Sequence, residues 1–149
     1  VGRLKSNSAL SAIRPVLHHG GVELRRAAIR ALSGWDHAGS FAGGAWNAGP
    51  AGDLHTVVRM EEERALRILA LRGYITLIGL PSERSAAQSM VLYQHALEAA
   101  ERVEEKRAAL SGLASVVSPD ALKMRKRRRR RSRRRFGKQP HTSRRSLGP

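Results

Sequence analysis

Six histidines, twelve carboxylates and no cysteine bound the chemistry open to this chain. His18 and His19 adjoin a turn, His37, His55 and His95 fall on separate stretches, and His141 lies near the C-terminus. No H-E-x-x-H motif or comparable pair of histidine ligands one helical turn apart occurs, and no thiolate is available. The residues therefore predict no metal site, and the histidines are expected at turns and on the surface. Acid–base catalysis needs groups that converge, and the adjacent Asp36 and His37 are neighbours only in sequence. Glu61-Glu62-Glu63 and Glu104-Glu105 stand where helix starts favour negative charge. Glu63–Arg67 and Glu98–Arg102 have the i,i+4 spacing of helical ion pairs, each contributing about 0.3 kcal/mol. Gly39, Gly43, Gly44 and Gly49 form neither G-x-G-x-x-G nor a P-loop. No catalytic constellation and no cofactor are expected.

The strongest electrostatic feature lies elsewhere. The net charge of +16 is unevenly spread, because residues 123–149 hold 14 Lys/Arg and no Asp or Glu. The 122 residues before them are nearly neutral. Arg125, Lys126, Arg127, Arg128, Arg129, Arg130, Arg131, Arg133, Arg134 and Arg135 are the candidate contacts to nucleic acid or to an acidic partner. A block of like charge with so few apolar residues self-repels and is expected to be disordered. It also has the composition of a nuclear localisation run or a contact to acidic membranes. An out-of-frame or truncated coding sequence would produce the same abrupt change, and both origins stay open.

The 149 residues suffice for one domain with a moderate core, and strand-like alternation is missing. Residues 6–17 predict a first helix, with Leu10, Ile13, Val16 and Leu17 on one face. Ser6 or Ser8 can cap it, and Pro15 should kink or shorten it. His18-His19-Gly20-Gly21 is a break. A second helix is expected over 22–35, with Leu24, Ala28, Ile29, Leu32 and Trp35 inward. Residues 36–50 read as a long Gly/Ala-rich loop whose Phe41 and Trp46 fold back onto the body. A third helix covers 50–60, with Leu54, Val57 and Val58 inward.

The most apolar stretch, 61–80, carries Leu66, Leu69, Ala70, Gly73, Tyr74, Leu77 and Ile78 at helical spacing. Ile68, Leu71 and Ile75 lie on its flanks. A helix that apolar must be covered on two sides. Ser85 and Gln88 have capping-box spacing and open a fifth helix, with Met90, Val91, Tyr93, Leu97 and Ala100 inward. A sixth spans 103–117, and Ser118-Pro119-Asp120 looks like a further helix start.

The second helices repeat. LRRAAIRAL (24–32), LRILALRGY (66–74) and EKRAALSGL (105–113) share a basic residue, then Ala and an aliphatic, then Ala or Gly before a large apolar residue. Equivalent positions are 42 and 39 residues apart. Leu17, Val58 and Leu97 each precede the aligned start by seven or eight residues. Small residues at inner positions let helix pairs approach, and the aliphatics fill the space between them. A cation early in a helix opposes the macrodipole. It is therefore expected to cap carbonyls or to pair with an acid of the adjacent repeat.

On VELRRAAIRALSGW (22–35), EERALRILALRGYITLIG (62–79) and EEKRAALSGLASV (104–116), the chain resembles HEAT repeats. It is similar to the arrays of large bacterial HEAT-containing proteins of the kind found in planctomycetes. The resemblance covers residues 6–122 and implies an all-α fold, a short right-handed α-α superhelix. Its hairpins are expected at about 6–35, 50–80 and 85–117, with a fourth beginning at 118–122 and a basic tail over 123–149. The missing polar cap on the last hairpin predicts a piece of a longer array or a marginally stable fragment. The function it implies is a non-catalytic scaffold that binds a partner protein. The alternative is a nucleic-acid-binding module using the tail and Arg25, Arg26, Arg30, Arg67 and Arg72. No transmembrane segment or signal peptide is expected.

Overall fold

A computed structural model describes residues 7–36 and 49–117. Among them the chain is all-helical: α1 (Asn7–His19), α2 (Val22–Ser33), α3 (Pro50–Met60), α4 (Arg64–Gly79), α5 (Ala86–Ala99) and α6 (Val103–Val117). Phe41 and Trp46 of the Gly-rich loop, Ser6, the helix start at 118–122 and the tail at 123–149 lie outside the described residues. The packing below belongs to the unit ending at Val116. No described helix is long and apolar enough to cross a membrane.

Local chemistry sets most of the boundaries. α3 opens with Pro50 in its first turn, where the missing N–H costs nothing, after Gly49 at a positive φ of 121°. α5 opens with a complete capping box. Ser85 Oγ accepts from the Gln88 N–H at 3.1 Å, and Gln88 Oε1 accepts from the Ser85 N–H at 2.8 Å. α1 runs past Pro15 to His19, so the proline neither ends nor shortens it.

The stretch at 61–63 departs from expectation. It is extended, and α4 begins only at Arg64. The helical ion pairs expected at Glu63–Arg67 and Glu98–Arg102 are both replaced by others. Glu63 is the N-cap of α4, and Arg102 lies beyond the end of α5, so neither pair shares a helix. Arg67 instead reaches Glu101, and Arg102 stands 3.6 Å from Glu104.

α4 is the helix on which α2, α3 and α5 all pack. Its Leu66, Ala70, Leu71, Gly73, Tyr74, Leu77 and Ile78 are buried, leaving a wetted strip at Arg64, Ala65, Arg72, Thr76 and Gly79. Each large buried aliphatic contributes roughly 1.5–3 kcal/mol. α2 also packs on α1 and α3, and α1 touches α3. Between the first two pairs, second helix therefore meets second helix and first meets first.

Three expected inward residues point outward: Leu24, Met90 and Val91 are exposed. Leu24 occupies the register that is buried at Leu66 and Glu105. No described pair precedes α2 to cover it. On α5 the buried face is instead Ser89, Leu92, Tyr93 and Ala96.

Candidate functional site

The fourth residue of each second helix is a cation: Arg25 in α2, Arg67 in α4 and Lys106 in α6. In α2 and α4 this places it beside the turn that joins the two helices of the next hairpin. Arg25 Nη1 donates to both oxygens of Glu61, in the α3–α4 turn, at 2.6 and 2.5 Å. The Glu61 side chain is 4% exposed, and its Oε1 also accepts from the Glu63 N–H at 3.0 Å. One carboxylate thus ties two hairpins together and satisfies a turn amide.

Arg67 repeats the arrangement. Its Nη2 donates to Glu101, in the α5–α6 turn, at 3.2 Å, while Nη1 donates to the carbonyls of Glu61 and Glu62. Arg64 Nε joins on Glu101 at 2.9 Å. Hydrogen bonds from Arg67 and then Arg64 hold the Glu101 carboxyl below its ordinary range. This pairing with the acid of the adjacent repeat, and the capping of carbonyls, are what the cation's position led one to expect.

Two further arginines work alongside. Arg72 Nε donates to Glu105 Oε1 at 2.6 Å, drawing α6 onto α4. Glu105 Oε2 is buried with no hydrogen-bond partner among the described residues. Arg84, buried in the α4–α5 connection, donates from Nη2 to the Ile78 carbonyl at 2.6 Å and so closes the end of α4.

The histidines divide. His18 and His19 are exposed at the α1–α2 turn. His55 of α3 is buried, contrary to the surface position expected of it, and stacks on His95 of α5 with ring centroids 5.3 Å apart. The Tyr74 ring lies at the same centroid distance from His55. Burial, then the neighbouring His95 and Arg59, lower the His55 pKa. Burial raises that of Tyr74. No cluster of three or more metal-ligating side chains exists among the described residues.

A cleft of about 420 Å³ opens beside the Arg25–Glu61 pair, lined by Leu17, His18, Val57, Met60, Glu62 and Glu63 as well. Its lining offers no hydroxyl or thiol nucleophile, and its one buried carboxylate is engaged by Arg25. The Arg25–Glu61 contact at its edge can hold helices in register.

The tail cations Arg125 to Arg135 lie outside the described residues. Of the helical arginines expected as nucleic-acid contacts, Arg25, Arg67 and Arg72 are in ion pairs between hairpins, and Arg26 pairs with Glu23 within α2 at 2.9 Å. Sequence reasoning missed Glu61, Glu101 and Glu105 as partners. The repeat spacing was the available signal, because Arg25 and Glu61, like Arg67 and Glu101, stand slightly less than one repeat apart. Compared with known protein families, curated proteins and solved structures, the chain matches none.

Proposed function

We propose that the chain is a non-catalytic HEAT-like scaffold, three hairpins stacked as a short superhelix whose surface holds a partner protein. The observation that carries this reading is the recurring cation, Arg25 to Glu61 and then Arg67 to Glu101. Units joined by the same contact at the same register extend a surface by repetition, which suits binding along its length. Asp53, Glu61, Glu101 and Glu105 are each engaged by an arginine of another helix, which is structural use of the carboxylates.

A second reading has its own observation. Fourteen cations without an acid over 123–149 would neutralise phosphates and bind nucleic acid in a salt-dependent way. Affinity capture with the full chain, before and after nuclease treatment, separates the two. A protein partner retained after nuclease supports the scaffold. Capture that disappears with nuclease, and that a chain ending at Leu122 cannot perform, favours nucleic acid. Turnover of a substrate abolished by substitution of these residues would contradict both.

A further inference from the structure

The third hairpin carries the repeat's docking features on a side that nothing described covers. α6 aligns with α2 and α4 residue for residue. Ile29 and Leu71 are 0% and 3% exposed, yet Leu110 in the same register is 53% exposed. Leu32 and Tyr74 are buried where Leu113 is only partly so, and Trp35 and Leu77 are buried where Val116 is only partly so. On α5, Met90 and Val91 are exposed in the register of the buried Ala51 and Gly52 of α3. Both helices thus turn an apolar surface outward in the register that earlier pairs bury.

Charge identifies what fits there. Lys106 occupies the register of Arg25 and Arg67, is exposed, and is paired with no carboxylate among the described residues. In both preceding cases the partner of that cation is a carboxylate in the turn between the two helices of the next hairpin. Lys106 is a compact ammonium on a flexible stem, able to meet such a carboxylate as a point charge.

We infer that the α5–α6 face docks a helical hairpin of another polypeptide, one carrying Asp or Glu in its interhelix turn. This rests on the scaffold reading and specifies its partner. Head-to-tail stacking of a second copy does not match, because the hairpin it would present, α1–α2, has His19-Gly20-Gly21 in its turn and no acid there, and copies with a net charge of +16 repel. Residues 118–149 do not supply it either, since their one acid, Asp120, stands only 14 positions after Lys106, whereas Glu61 and Glu101 stand 36 and 34 positions after Arg25 and Arg67.

The probe is a synthetic peptide of residues 81–117, a hairpin with Glu101 in its turn, titrated into the full chain at low salt. Saturable binding is expected. It should weaken at least tenfold with Lys106→Glu or Leu110→Asp in the chain. A peptide carrying Glu101→Lys should recover binding to the Lys106→Glu chain. Binding that ignores both substitutions would overturn the inference, because the peptide would then be replacing the chain's own third hairpin. No binding would also overturn it, provided that a second copy of 81–117 inserted after Val117 leaves the unfolding midpoint unchanged. An inserted copy that raises the midpoint, with the gain lost on Lys106→Glu, would support the docking mode. Self-association of the unaltered chain that Lys106→Glu abolishes would assign the face to a second copy and overturn the stated partner. Nuclease-resistant capture of a protein together with failure of these probes would leave the scaffold standing and remove only this face.

Discussion

Gly73 of α4 lies against Ser33 of α2 so closely that a Cβ at Gly73 would fall on the Ser33 hydroxyl. It would also stand 2.8 Å from the Ser33 Cβ and 3.0 Å from Leu54 Cδ1. The hydroxyl can rotate, giving up its bond to the Ile29 carbonyl, but the Ser33 Cβ is fixed to the backbone. Two second helices approach here because one of them has no side chain.

Gly73→Ala should therefore destabilise the chain by about 1–3 kcal/mol, the usual cost of overpacking. Gly79→Ala is the control. Its added methyl would meet only Tyr93 Oη at 3.4 Å, an ordinary contact. Better helix propensity should make that variant neutral or more stable by up to about 1 kcal/mol. Urea unfolding of the two variants checks the pair, and equal shifts would refute close α2–α4 contact at Gly73.

Acid should loosen the first-helix layer through His55. Its folded pKa lies below the ordinary 6.5, so the unfolded chain binds the proton more readily. The stabilisation is fully present above 6.5 and is lost as pH falls through the folded value. The groups around it, His95, Arg59 and Tyr74, provide no negative charge to offset protonation. Glu101, whose pKa is also lowered, contributes stability above its ordinary 4.5 that is lost only at lower pH. The melting temperature should thus fall between pH 7 and pH 5, and His55→Gln should flatten that fall. A slope untouched by the substitution would place the titrating group elsewhere.

Much of this fold is legible in the residues themselves. Pro50 and the Ser85–Gln88 box fix where their helices start, and the apolar spacing of 61–80 fixes element type though not its first turn, because caps and periodicity act within a few residues. Val103–Val117 and Pro50–Met60 fall where sequence places them for that reason. Burial was less legible. Leu24, Met90 and Val91 have an inward pattern, but a repeat buries a residue only if the neighbouring pair is there to cover it. The ion pairs were half legible: the cation's misfit with the helix dipole signalled a distant acid, whereas Glu61 looked like a helix-start residue. His55 and His95 escaped because stacking between adjacent first helices leaves no local trace.

The most direct measurement is a double-mutant cycle on Arg25 and Glu61, with stability read from urea unfolding of the two alanine variants and their combination. Glu61→Ala strands a guanidinium whose side chain is only 23% exposed, and should cost about 3 kcal/mol. If the cation of one hairpin is locked to the turn acid of the next, the pair should show a coupling of roughly 1–3 kcal/mol. Effects that add to within about 0.5 kcal/mol would contradict that lock and, with it, the register on which the stacked hairpins depend.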